Sequence, residues 1–429
     1  KKLFKFSYYK PNIFIKNFFK KSVIQNKNSS YLNSKTIFFP HKGLVNKYEN
    51  KDYFFSKNKK SLLHRSNILI AEYNKKEIND VAKKLYQRNN QNVIYWNEII
   101  PYNIFTYSLI KRLSQILLKN FLMYDTKFAF QVVGNCIKII REKFRLSQFK
   151  KVKTILVGYE YLFPITLAIA SKIKNIKLVA VQKRMQMPAL LRQFIIDKYF
   201  IIGNKTKSDL KNQIYKNMNS IIVGGIETRN NKKINSFNNL NFKKYKKKCL
   251  VLDYPSRKNW YMNGINVYVN WNENLIFYKT ILKIAENNKD ILFVIKGKNY
   301  NWLNISYFDA IKKKIKHQKN LILFNKNFNW TNLKIVNFFD FSIARYTSLV
   351  DDFLMLNKPV IIYDDTDIIS YYINYSNKIV SKDFSDLNLK VKKIVKNYKS
   401  YNRSLTSIRK KFYVKFNKKK YNYELGKFS

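Results

Sequence analysis

The residues best suited to chemistry stand at the ends of short apolar runs. Thr347 and Ser348 follow Phe341-Ser342-Ile343-Ala344, and the spacing of Leu349, Val350, Phe353, Leu354 and Leu356 predicts a helix behind them. Ser348 and Asp351 stand at capping-box spacing, so Ser348 is expected to cap that helix. Asn357 ends it, and Pro359 opens a second run, Val360-Ile361-Ile362-Tyr363. The unit is strand, tight turn, helix, strand, with a hydroxyl pair at its mouth. Free N–H groups and the positive end of a helix dipole suit a phosphate there. Plain capping would account for Thr347, Ser348 and Asp351 in any protein. Asp352, one residue further on, is less explained by it.

Other strand ends carry further candidates, because ligands of parallel sheets bind beyond the carboxyl ends of the strands. Lys296, Gly297 and Lys298 follow Phe293-Val294-Ile295, and two cations with a glycine suit a diphosphate. A solvated loop is the competing reading. Asp253, Tyr254 and Arg257 close the run that starts at Cys249, and Asp364, Asp365 and Asp367 could hold a ribose but read better as turn and cap residues. Glu160 follows the run Thr154 to Gly158 and is the best-placed carboxylate for a general base, against a plain salt bridge. Lys183 and Arg184 follow Leu178 to Gln182 and could receive an anionic acceptor. His41, His64 and His317 form no spaced cluster, and His41, just past a strand, is the catalytic candidate among them. Cys136 and Cys249 lack metal-ligand neighbours, so no metal site is expected, and they fit a reducing compartment. The fingerprints G-x-G-x-x-G, P-loop, H-E-x-x-H and G-x-S-x-G are missing, which counts against dehydrogenase, P-loop ATPase, zincin and serine-hydrolase chemistry.

These positions need a scaffold, and the apolar runs supply one. Strands are expected at 36–39, 67–71, 93–96, 154–158, 178–182, 199–202 and 221–223, with helices at 75–87, 103–119, 126–147, 163–174 and 188–196. The segment 226–248 lacks an apolar period and reads as linker. Alternation then restarts with strands at 249–253, 291–295, 321–324, 341–344, 360–363 and 379–380. Helices are expected at 272–288, 305–316, 331–339, 348–356 and 367–373, followed by two more to about 414. The fold class is α/β: two Rossmann-like lobes facing each other across a cleft, with parallel sheets covered by helices. Residues 1–225 form the N-terminal lobe, 226–248 the linker and 249–429 the C-terminal lobe. The last helices are candidates to pack back on the N-terminal lobe.

Composition narrows the partners. The 429 residues are 46% hydrophobic and 16% aromatic, enough for a globular core. Lys and Arg number 83 against 26 acids, a net charge of +57. The lysines are spread along the whole chain among Asn, Ile, Tyr and Phe, as A/T-rich codons would spread them. A nucleic-acid binder would instead group them on one face with aromatics for stacking, so nucleic acid is the disfavoured partner. An anionic membrane surface is the favoured one. No apolar run reaches the ~18 residues of a spanning helix. Residues 1–25 mix basic and aromatic side chains, without the unbroken apolar centre of a secretory signal, and could lie in an interface.

The motif Thr347-Ser348, Asp352 and Lys358-Pro359 resembles the donor-side motif of the CDP-glycerol glycerophosphotransferase and surface-polysaccharide (capsule, lipopolysaccharide) biosynthesis proteins. Residues 295–298, IKGK, stand where that family has a Lys-Pro-His type loop, with Lys298 replacing the histidine. VAVQKR at 179–184, DKYFIIGN at 197–204 and IIVGG at 221–225 resemble its Gln-His-Gly element, Asp-Tyr-Phe strand and Val-Gly turn, with Lys183 at the histidine position. The resemblance implies a GT-B transferase, with a CDP- or UDP-linked donor on the C-terminal half and a saccharide or lipid-linked acceptor on the N-terminal half. It implies no tightly bound metal or other cofactor, and a location on the inner face of a bacterial inner membrane. A UDP-sugar 2-epimerase shares the architecture and is the enzymatic rival, and a basic nucleic-acid-binding protein is the rival from another class.

Overall fold

A computed structural model describes residues 34–40, 68–73, 92–99, 107–123, 126–158, 160, 163–182, 195–212, 216–225, 244–256, 258, 261–262, 265–266, 269–297, 300–324, 332–345, 347–365 and 378–427. The helices expected at 75–87 and 367–373, most of the one expected at 188–196, the segment 1–25 and most of the 226–248 linker lie outside these residues.

The N-terminal strands are β1 (Thr36–Phe39), β2 (Ile68–Glu72), β3 (Asn92–Tyr95), β4 (Thr154–Val157), β5 (Lys177–Val181), β6 (Lys198–Ile201) and β7 (Asn219–Ile222). They form one parallel sheet in the order β3-β2-β1-β4-β5-β6-β7. Short, almost wholly apolar strands such as β1 and β4 are buried along their length, as covering on both faces requires. This sheet's helices among the described residues are α1 (Tyr107–Met123), α2 (Thr126–Ser147), α3 (Ile165–Ile173) and α4 (Asn204–Asp209). The strand order reverses between β1 and β4, so the topological switch point lies where the chain leaves Phe39 and Val157.

The second sheet begins with β8 (Lys247–Leu252), and a small antiparallel ribbon, β9 (Tyr261–Met262) with β10 (Ile265–Asn266), follows it. Strands β11 (Ile291–Lys296), β12 (Leu321–Leu323), β13 (Phe341–Ala344), β14 (Val360–Tyr363) and β15 (Val380–Ser381) complete a parallel sheet of order β12-β11-β8-β13-β14-β15. Its helices are α5 (Trp271–Asn287), α6 (Asp309–His317), α7 (Asn332–Phe338), α8 (Leu349–Met355) and α9 (Phe384–Lys396). Period-two alternation splits its core. Cys249, Val251, Phe293, Ile295, Phe341 and Ile343 face α5, α6 and α9. Leu250, Leu252, Val294 and Ala344 face α7 and α8. Here the switch point lies between β8 and β13.

Three further helices, α10 (Tyr398–Ser404), α11 (Thr406–Phe412) and α12 (Lys418–Gly426), end the chain. Residues 412–417 run across the ends of β6 and β7: Val414 N–H donates to Ile202 O (3.1 Å), and Gly225 N–H to Val414 O (2.8 Å). A Cβ on Gly203 would stand 1.9 Å from Phe412 O, so the strap can lie this close only against glycine. Tyr421 and Leu425 of α12 then join the core of the first sheet beside Phe200 and Val181, and Lys198 pairs with Glu424 at 2.6 Å. No helix among the described residues is long and apolar enough to cross a membrane.

Candidate functional site

The register of the second sheet sets the site. Lys296 and Ala344 both lie opposite Leu252, so Gly297, Asp253 and Arg345 leave their strands at one level. Neighbouring strands are about 4.8 Å apart, which puts the ends of β11 and β13 roughly 10 Å from each other on either side of β8. The pleat then divides the polar residues between two faces.

On the α5 face, Asp253 and Arg345 continue the apolar rows Cys249-Val251 and Phe341-Ile343, and Asp365 continues Ile361-Tyr363. Arg345 has no exposed surface. Its Nη2 donates to Asp365 Oδ1 at 2.5 Å and to the Glu273 carbonyl at 3.0 Å, and its guanidinium lies 4.7 Å from the Phe277 ring centre. Its Nε and Nη1 find no hydrogen-bond partner among the described residues. Tyr278 O–H donates to Asp253 Oδ2 at 2.7 Å, and burial together with that carboxylate pushes the phenol's pKa well up. Burial also raises the pKa of Asp365, against the opposing pull of Arg345. The start of α5 is pinned beside them by a capping box between Asn270 and Glu273, whose reciprocal bonds measure 2.8 and 2.7 Å. Asp365 is therefore an ion-pair partner, not the turn or cap residue its position suggests.

On the α8 face stand Lys296, at the end of β11, and the Thr347-Ser348 turn that leads from β13 into α8. Ser348 does not cap this helix. Its backbone is already helical (φ −69°, ψ −9°), whereas an N-cap side chain folds back onto the helix only from an extended backbone. Thr347 Oγ1 accepts from Leu349 N–H at a long 3.4 Å. Asp351 closes no capping box either, for its Oδ1 accepts from Tyr413 O–H of the C-terminal strap at 2.7 Å. Asp352 is half-buried in the first turn, while Asp351 is buried. Asn357, at φ +57°, ends the helix in the left-handed conformation. Lys358 of the Lys-Pro pair turns away from the strand ends. Its Nζ donates to the carbonyls of Val336 (2.9 Å), Asn337 (2.7 Å) and Phe339 (2.5 Å), capping the end of α7. Burial pushes its pKa down to about 8.

In the first lobe, Glu160 lies just beyond β4, next to the switch point. It is 4% exposed, and its Oε1 accepts from Tyr199 O–H at 2.9 Å. It lines a recess of about 30 Å³ with Val157, Phe163, Ile165, Ala168, Ile195 and Ile196. Gln182, at the end of β5, is spent on structure: it donates to Thr206 Oγ1 and accepts from Ile202 N–H. His41, Lys183, Arg184, Arg257 and Lys298 lie outside the described residues. Among the described residues no three His, Cys, Asp or Glu come together as a metal site.

The structure thus brings Lys296, Thr347, Ser348 and Asp352 to one end of one sheet, around the β8/β13 switch point, and sets Glu160 at the other lobe's switch point. Sequence reading missed Arg345, Tyr278 and Glu273. The available signal was phase: Arg345 continues the alternation of Phe341 and Ile343 into the core.

Two parallel α/β lobes with polar residues at their switch points define the GT-B type of architecture. Neither a family model nor a curated protein sequence matches the chain. Among solved structures, a UDP-N-acetylglucosamine 2-epimerase superposes with a TM-score of 0.51 at 11% identity, over 92% of this chain and 94% of that one. The UDP-GlcNAc 2-epimerase of Neisseria meningitidis, bound to UDP-GlcNAc, reaches 0.49 at 11% identity over 91% and 98%. The wall teichoic acid polymerase TagF, soaked with CDPG, reaches 0.48 at 12% identity over 92% and 87%. At such identity the first likeness establishes the fold.

Proposed function

We propose that the protein is a glycosyl- or glycerophosphotransferase of bacterial surface-polysaccharide assembly that takes a CDP- or UDP-linked donor on its C-terminal lobe. The observation that carries this reading is the β8/β13 switch point, where Lys296 and the Thr347-Ser348 turn lie at the carboxyl ends of a parallel sheet. Lys296 and Lys298 would face the diphosphate, the hydroxyls of Thr347 and Ser348 would bond its oxygens, and Asp352 and Arg257 would complete the donor pocket. Glu160 and His41 are the candidates for removing the acceptor's proton, and Lys183 and Arg184 for holding an anionic saccharide or lipid-linked acceptor. Phosphoryl and glycosyl transfer from such donors can proceed by positioning and charge stabilisation, without a tightly bound cofactor. The site would work at the inner face of the inner membrane, with the protein attached peripherally to anionic lipid.

A UDP-sugar 2-epimerase is the second reading, favoured by the 0.51 superposition on an enzyme of that name. A thermal-shift screen against CDP-, UDP-, GDP- and CMP-linked donors tests both, because a ligand bound only by the folded state raises the melting temperature. Stabilisation by a CDP- or UDP-linked donor, without epimerisation of UDP-GlcNAc, supports the transferase. Turnover of UDP-GlcNAc alone replaces it with the epimerase, and no response to any donor sinks both.

A further inference from the structure

Five large apolar side chains stand exposed where α1 ends and α2 begins. They are Leu118 (61%), Leu122 (76%) and Met123 (62%) at the end of α1, and Phe128 (42%) and Phe130 (62%) at the start of α2. Leu118 and Leu122, four residues apart, share one face of α1. Exposed apolar residues such as Ile276, Leu389 and Val414 are single and far apart in the chain. The opposite end of the hairpin is fixed to the lobe. Trp96 Nε1–H donates to Glu142 (2.5 Å), Arg145 Nε–H to the Ile99 carbonyl (2.9 Å), and Leu146 and Phe149 enter the core. Phe128 lies about 21 Å along α2 from Glu142, at ~1.5 Å per residue. The hairpin is anchored at one end and apolar at the other.

Charge favours one kind of cover for the tip. Residues 107–147 hold eight Lys or Arg against Asp125 and Glu142, and Glu142 is already paired with Arg145. Lys111, Arg112 and Lys119 on α1 and Lys138 and Lys143 on α2 are exposed. Apolar side chains at a tip, with cations along the flanks, match an interface with hydrocarbon below and phosphate headgroups above. We propose that the α1–α2 tip inserts into the interfacial layer of a membrane containing anionic phospholipid. Leu122, Met123 and Phe130 form the wedge, with Lys119 nearest the headgroups and the cations further along α1 and α2 facing the anionic surface. The idea deepens the peripheral-membrane part of the functional reading and rests on it, but not on the identity of the donor.

The test uses the full chain, without donor, and vesicles of phosphatidylglycerol with phosphatidylcholine or of phosphatidylcholine alone. The parent protein should float with the anionic vesicles and be released as salt screens the attraction. The triple variant Leu122→Ser, Met123→Ser, Phe130→Ser should partition at least ten-fold less, with an unchanged melting temperature because these side chains are exposed. Lys119→Glu with Lys138→Glu should lose the preference for anionic over neutral vesicles. Tryptophan emission of Leu122→Trp should be quenched by acyl-brominated lipid beyond that of the parent. If the triple variant binds as the parent does, another segment makes the attachment and this placement is wrong. If the parent ignores anionic vesicles, peripheral attachment falls with it, while donor titration still judges the enzyme. Dimerisation of the parent that the triple variant abolishes, with vesicle binding unchanged, assigns the tip to a second copy instead.

Discussion

Arg345 and Asp365 meet at 2.5 Å across the ends of β13 and β14, and the arginine has no exposed surface. Removing one member of such a pair strands the other charge in the interior. Asp365→Asn is therefore expected to destabilise the fold by about 3–5 kcal/mol, read by urea denaturation. Replacing both, as Arg345→Met with Asp365→Leu, should cost less than the single change, because no charge is left to desolvate. A single variant as stable as the parent would show that the pair holds nothing together.

The strap over the first lobe depends on Gly203. Its backbone is extended, so only space forbids a side chain, and Phe412 O occupies that space. Gly203→Ala should cost about 1–3 kcal/mol by overpacking and should hasten tryptic cleavage at exposed Lys415. Gly426, with open space around its Cβ position, is the control, and its alanine variant should melt with the parent. Equal cleavage rates for Gly203→Ala and the parent would mean that the strap lies more loosely than its hydrogen bonds suggest.

Lys358 gives a pH signature. Burial holds its folded pKa at about 8, below the ordinary 10.5, with Lys248 adding to the effect and Asp340 opposing it. Between those values the unfolded chain keeps the proton that the folded chain has released, so this group's contribution to stability grows as pH rises through the window. Below about 8 both states are protonated and its contribution is flat. The difference in stability between the parent and Lys358→Met should therefore shift in the parent's favour from pH 8 to 10. A pH-independent difference would place the lysine's pKa at its ordinary value.

Much of the scaffold was legible because it is written in contiguous apolar runs. Phe341–Ala344 and Val360–Tyr363 are strands with the ends that their residues suggest. The switch-point positions of Thr347, Ser348 and Lys296 follow from reading polar residues after strands. What was hidden depends on partners distant in sequence. The spacing of Ser348 and Asp351 suggests a capping box, but Asp351 is engaged by Tyr413, 62 residues later. Lys418–Gly426 offers Tyr421, Tyr423 and Leu425 among lysines, and the burial of Tyr421 and Leu425 requires Phe200 and Val181 of the other lobe. Lys358 looks like part of a binding motif, yet it serves the end of α7, because carbonyls left over at a helix end need donors.

The most direct measurement of the account is calorimetric titration of the best-stabilising CDP- or UDP-linked donor into the parent, Lys296→Ala and Ser348→Ala. Ser348 makes no capping bond, so Ser348→Ala should stay within about 0.5 kcal/mol of the parent in stability. Any loss of affinity in it then reports lost ligand contacts. Donor affinity should fall at least five-fold in each variant, which is about 1 kcal/mol per lost contact. Unchanged affinity in both, with stable folded protein, would contradict the placement of the donor at the β8/β13 switch point.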